Sequence, residues 1–203
     1  MFGCRHLPVQ LPRELLAQLE AAYGEPHRAY HNATHVAEVL GWFDRVTDDL
    51  GWLEPAEVYL AVVFHDAIYQ PGAKDNEARS AAWARTAKLH ADQRVDATMV
   101  DRDRVAELIE LTARHGAVTS ADHDAALFLD SDMAIVGAAP DAFDAYDRAI
   151  AAEYSAVPPD AYRAGRRQFL AGLAAKPRIF LTDYFHTRLD AQARANLARA
   201  LAA

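Results

Sequence analysis

Cysteine is almost missing from this chain: Cys4 is the one thiol in 203 residues. A single thiol allows no intramolecular disulfide and no thiolate metal cluster, and a reduced cytoplasm is the compartment that fits. Positive charge is scarce too. Twenty-one lysines and arginines face 29 aspartates and glutamates, a formal net charge of −8. That balance argues against a broad nucleic-acid surface, which needs a basic patch. A small phosphate substrate is still compatible with it, because a bound divalent cation inverts the local sign. No apolar run reaches the length of a membrane span. The opening Met1-Phe2-Gly3-Cys4-Arg5-His6 lacks a signal-peptide pattern. Internal repeats, low-complexity tracts and sustained strand alternation are also missing.

Apolar residues are plentiful, at 52% of the chain, enough for one domain over residues 1–203 with a substantial core. They recur at helical spacing. Pro12 stands where a first turn begins, Leu15, Leu16, Leu19 and Tyr23 follow, and Gly24 and Pro26 end that helix. A second helix is predicted from Asn32 or Thr34 to Leu50, with Val36, Val39, Leu40, Phe43 and Val46 inward and Gly51 as its stop. Pro55 opens a third, and residues 58–64 make it apolar nearly all round, the mark of a central helix. A fourth is capped by Asp75 or Asn76, runs to about His90 and precedes a polar loop over 91–96. The fifth covers 101–115 with Gly116 as its stop. The sixth runs from about Asp122 through Val136 and is broken by Gly137. Three more are predicted over 141–156, 159–175 and 183–203, with a turn around 177–181. The predicted fold class is all-α, a single helical bundle.

Polar residues inside apolar stripes need a reason. His31 and His35 are four apart in Tyr30-His31-Asn32-Ala33-Thr34-His35, on one helix face or at its mouth. His35 shares the inward stripe of Val39. His65-Asp66 is the polar end of the buried third helix. Imidazole suits transition metals, and carboxylate accepts both those and harder cations, so two such segments facing each other make most of a metal site. Asp130 and Asp132 interrupt the sixth helix's apolar run. Either can close the site, and spacing does not separate them. His115, three residues past Thr112, points inward as well. A second pair, His123-Asp124, precedes its apolar run and reads as a solvated, structural N-terminal turn.

The order His35, His65-Asp66, then an inward aspartate resembles the HD-domain superfamily of metal-dependent phosphohydrolases, whose members are helical. Residues 30–35 also look like the Tyr-His-Asn-x-x-His signature of cyclic-nucleotide phosphodiesterases, a branch with the same core. The closest resemblance is to a small bacterial family of predicted metal-dependent HD phosphohydrolases. Its marks continue as Asp75-Asn76-Glu77-x-x-Ser80, Thr112-Ala113-Arg114-His115, residues 130–137, Glu153-Tyr154, Gly165-Arg166 and Ala193-Arg194-x-Asn196-Leu197. The strong motifs span residues 30–137, and the weaker ones extend over nearly the whole chain.

By this resemblance His35, His65, Asp66 and Asp132 are the ligands of a divalent ion (Mn, Fe, Zn, Ni, Co or Mg), and one ion is expected rather than two. Asp132 is preferred over Asp130 because the superfamily's last aspartate precedes an apolar residue, as in Asp132-Met133. The phosphodiesterases carry a further histidine three residues after His-Asp. Tyr69 stands there, which weakens the case for a second metal and for cyclic-nucleotide cleavage. The expected reaction is hydrolysis of a phosphate ester by a metal-activated water. Asp66 orients the water, His31 is the general acid and Glu77 a helper in proton transfer. His115, Lys74, Arg79 and Arg166 are expected to bind the substrate phosphate. Expected partners are a small phosphorylated substrate and, as an open option, a second copy in a homodimer, with neither nucleic acid nor membrane. Two alternatives stand beside this: a non-catalytic nucleotide-binding module, and a di-iron oxygenase on the same scaffold.

Overall fold

The computed structural model describes residues 2–89, 100–115, 117–118 and 121–202. Among these the chain forms nine α-helices and no strand, the all-α class that the periodicity predicts. They are α1 (Arg13–Tyr23), α2 (Ala33–Asp49), α3 (Pro55–Phe64), α4 (Asn76–Thr86), α5 (Arg102–Thr112), α6 (His123–Asp132), α7 (Pro140–Glu153), α8 (Pro159–Ala174) and α9 (Asp183–Ala202). No helix among the described residues is long and apolar enough to cross a membrane.

Local chemistry sets the helix that carries the first motif. The Asn32 side chain accepts the Thr34 amide at 2.8 Å and starts α2. At the other end Gly51 sits at φ +81°, a conformation only glycine adopts freely, and its amide reaches the Val46 carbonyl at 2.8 Å. Pro55 occupies the first turn of α3, and all seven residues from Val58 to Phe64 are buried. Burial of each such valine, leucine or phenylalanine contributes about 1.5–3 kcal/mol over leaving it in water. Helix α3 thereby becomes the axis of a first core, packed by α2, α4, α5 and α6. Phe143, Phe180, Phe185 and Leu197 centre a second core between α7, α9 and the preceding turn. Helices α2 and α6 feed both: Phe43 and Phe128 enter the first, Val46 and Leu127 the second. The histidine motif and the Asp130-Ser131-Asp132 segment therefore lie on the two elements that span the seam.

Several boundaries differ from the prediction. Helix α5 ends at Thr112, not His115; the Thr112 hydroxyl bonds the Ile109 carbonyl at 2.7 Å, and residues 113–115 form a tighter turn. Helix α6 ends at Asp132, and a 3₁₀ turn continues over Met133–Gly137. That turn ends at Gly137, where a Cβ would come within 2.6 Å of Leu189 Cβ, so the close approach of α9 needs glycine there. Helix α4 stops at Thr86, short of His90. The predicted end at His90, the polar loop over 91–96 and the Gly116 stop lie outside the described residues. Asp124 is not solvated but buried, and it accepts the Leu53 and Glu54 amides at 3.0 and 2.7 Å, tying α6 to the start of α3.

Asp124 is one of a set. Asp44 accepts the amides of Arg5 and His6, Asp190 accepts that of Ile179, and Asp130 accepts those of Leu181 and Thr182. Each carboxylate satisfies backbone donors of a segment distant in sequence, because a buried amide left unmatched is costly.

Candidate metal centre

Two elements bring imidazoles together. His35, one turn into α2, points along the inward stripe and is 3% exposed; His65, the residue after α3, is 1% exposed. Their Nε2 atoms lie 3.1 Å apart. Asp132, at the end of α6, puts Oδ1 3.0 Å from His35 Nε2 and 3.5 Å from His65 Nε2. Asp66 Oδ2 lies 3.6 and 3.0 Å from the same two nitrogens. One ligand atom from each of His35, His65 and Asp132 falls within 4.8 Å of the other two. Asp130, two residues earlier, faces the other way; both its oxygens are taken by Leu181 and Thr182.

The donor set could hold a cation. His65 Nδ1 lies 2.8 Å from the Val62 carbonyl, which only accepts, so Nδ1 carries the proton and Nε2 presents its lone pair to the cluster. Among protein groups alone, burial favours neutral His65, but Asp66 and Asp132 outweigh it and hold its pKa well above the usual value. Burial likewise disfavours charged Asp132, and His65 and His115 reverse that and pull it well below the carboxylate range. Asp66 is lowered in the same way, by His65 and then His31. The charge balance of the cluster thus couples these carboxylates to the neighbouring imidazoles, and its donor set is one that could hold a divalent cation.

A guanidinium fixes the two motifs against each other. Arg28, its side chain fully buried, donates to the His31 carbonyl at 3.0 Å, to Asp66 O at 2.6 Å and to Ala67 O at 3.1 Å. Its fourth bond goes to Glu25 Oε2 at 3.0 Å. Three carbonyls from two loops converge on this one fork, a geometry that ammonium cannot match.

His31 faces the same space but has its own partner. Its Nδ1 lies 2.6 Å from Glu153 Oε2, and Glu153 Oε1 accepts the Tyr30 and His31 amides at 2.7 and 2.8 Å. Tyr69 donates its hydroxyl to the same carboxylate at 2.8 Å and stacks its ring on His31 at 4.2 Å. Burial lowers the His31 pKa, but Asp66 and Glu153 outweigh it, and the net shift is upward.

Above the cluster opens a cavity of about 640 Å³. His31, His35, Asp66, Asp132, Glu77, His115 and Arg166 line it. His115 Nε2 lies 2.6 Å from Asp132 Oδ2. Arg166 is already engaged, with Nε donating to Asp147 at 2.9 Å and Nη1 to the Tyr146 hydroxyl at 3.2 Å. Lys74 and Arg79 are exposed and outside the lining, because the face of α4 that carries Arg79 turns to solvent. Sequence reasoning assigned no role to Arg28, Glu153 or Tyr69. Arg28 and Glu153 carry no periodic signal, since their partners lie up to 123 residues away; Tyr69 stood out only as a histidine replaced.

No protein-family model matches the chain, and no curated protein or solved structure matches it.

Proposed function

We propose that the chain is a metal-dependent phosphohydrolase of the HD type, cleaving a phosphate ester in the cytoplasm. The observation that supports this is the convergence of His35, His65 and Asp132, within 4.8 Å, at one end of a cavity large enough for a small organic ester. Asp66 completes the set, and its placement 3.0 Å from His65 leaves its carboxylate able to orient a water toward phosphorus. One divalent ion held by these four residues supplies Lewis acidity and a water of lowered pKa.

The hydrogen bonds support the other proposed roles. Glu153 accepts the hydrogen bond from His31 Nδ1–H and stabilises the imidazolium, so Nε2–H is the group free to deliver a proton to the leaving oxygen. Tyr69 and the two backbone amides hold Glu153 still, and thus hold the imidazole at one angle. His115, bonded to Asp132 beside the cavity, can donate to a phosphoryl oxygen when protonated. Glu77 lines the cavity in the first turn of α4 and is kept as the proton-transfer helper. Lys74 and Arg79 drop out of the substrate set, and Arg166 acts as a wall whose charge Asp147 offsets.

The test is metal analysis and phosphate release together. Protein purified without chelator should carry one ion per chain and release phosphate from a panel of esters with at least one divalent metal. Replacing His35 and His65 by alanine should remove both properties, and unchanged metal content would reject the site. Tight ligand binding with no turnover on any metal would favour the non-catalytic module, and iron-dependent oxygen consumption the oxygenase.

A further inference from the structure

Part of the cavity lining is aromatic and apolar rather than charged. Tyr146, Ile150 and Tyr154 of α7 and the turn after it line it together with Tyr162 and Phe169 of α8. Tyr154, Tyr162 and Phe169 are partly exposed and line the cavity, so their rings offer it apolar area. Tyr154 and Tyr162 sit 5.7 Å apart and tilted, and Tyr30 closes against Tyr146 at 4.6 Å. A wall of this kind recovers free energy by covering flat apolar surface.

Charge points the same way. The one arginine in the lining, Arg166, lies 2.8 Å from Asp147 and between the rings of Tyr146 and Phe169, at 4.9 and 5.5 Å. No other lysine or arginine among the described residues lines the cavity, whereas Asp66, Asp132 and Glu77 do. A second or third phosphate would find no further cationic side chain among the described lining residues.

Resting on the phosphohydrolase reading, we infer that the substrate is a monophosphate ester of an uncharged, planar and largely apolar alcohol. Polyphosphates and small hydrophilic phosphates are excluded by the same wall. Gly165 offers a handle on this. It lines the cavity from α8, and a Cβ there meets nothing within 4 Å, so a larger side chain grows into open space without disturbing the helix.

The experiment is calorimetric binding of non-hydrolysable phosphonates to the full chain in excess Mn²⁺. The probes are methylphosphonate, naphthylmethylphosphonate and the same ring carrying a diphosphonate. The naphthyl monophosphonate should bind at least about tenfold tighter than methylphosphonate, the factor that a modest stack on rings supplies. The diphosphonate should bind no tighter than the monophosphonate. Phe169→Ala and Gly165→Leu should each erase most of the naphthyl preference and leave methylphosphonate binding unchanged. Equal binding of the methyl and naphthyl probes, or tighter binding of the diphosphonate, would overturn the inference. Phosphate release from naphthyl phosphate and glycerol phosphate runs in parallel. Ring-selective binding with no release from either ester would sink the hydrolase reading and keep the wall; release from both, with no ring preference in binding, would do the reverse.

Discussion

Glu153 Oε2 lies 2.6 Å from His31 Nδ1, while its other oxygen accepts the amides of Tyr30 and His31. One buried carboxylate thus binds the backbone and the side chain of the same residue, 122 positions away. The arrangement links stability to pH. Burial raises the Glu153 pKa, but the His31 and backbone bonds pull it below its ordinary 4.5. That contribution is present above 4.5 and is lost as pH falls through the lowered value. Burial lowers His31, but Asp66 and Glu153 raise it above 6.5. Its contribution is complete below 6.5 and is lost as pH rises through the raised value. Glu153→Gln keeps an acceptor for the amides and removes the charge. The drop in melting temperature caused by Glu153→Gln should be largest between 4.5 and 6.5 and shrink above that window, in melts from about pH 4 to about pH 9. A difference constant with pH would show that the pair acts through packing alone.

Asp130 and Asp132 should separate cleanly under mutation. Asp132→Ala removes a carboxylate from beside two imidazole nitrogens, and the protein should lose its metal. Asp130→Ala should keep the metal but leave the Leu181 and Thr182 amides unmatched at the start of α9. That costs roughly 1–3 kcal/mol. Metal content by mass spectrometry and stability by urea unfolding read the two effects independently, and the reverse pattern would exchange the two roles.

Arg28 should tolerate no replacement, lysine included. A single ammonium on a flexible stem cannot serve the His31, Asp66 and Ala67 carbonyls along with Glu25. Arg28→Lys is expected to cost about 2 kcal/mol or more. For a chain of this size that is about 2–4 °C in Tm per kcal/mol. Because Asp66 is held through its own carbonyl, Mn²⁺ affinity should also fall, by about 10–100-fold. Loss of stability with unchanged affinity would make Arg28 a fold residue only.

The helices were largely readable because the residues that bury them recur locally. The Val36-Val39-Leu40-Phe43 stripe gives α2 its phase, and that phase alone turns His35 inward. The unbroken run from Val58 to Phe64 marks α3 as central, and His65 follows at its end. What stayed hidden depends on distant chain. Asp130 and Asp132 look alike within the same apolar stretch, and they differ because the amides of Leu181 and Thr182, more than 50 residues later, claim the first. Asp124 resembles a solvated helix start until the Leu53 and Glu54 amides are laid against it. Glu153 and Arg28 give no local sign of their partners. The end of α6 was missed because apolar residues continue through Val136 in the 3₁₀ turn that follows it.

His31 and His35 share one motif but have different partners. His35 Nε2 lies among Asp132, His65 and Asp66, whereas His31 is paired through Nδ1 to Glu153 and lines the cavity. If His31 gives its proton to the leaving oxygen, its value depends on how badly that oxygen needs one. General acid catalysis is typically worth about 10²–10⁴-fold. A nitrophenolate leaves readily without protonation, whereas an alkoxide does not. His31→Ala should therefore keep its metal, retain much of its kcat on nitrophenyl phosphate, and lose about 10²-fold or more on an alkyl phosphate. Glu153→Gln should show the same leaving-group bias in weaker form, since it disturbs the imidazole without removing it. His35→Ala should lose metal and fail on both esters. Equal losses by His31→Ala on the two esters would mean that the imidazole positions the phosphate and the proton comes from elsewhere.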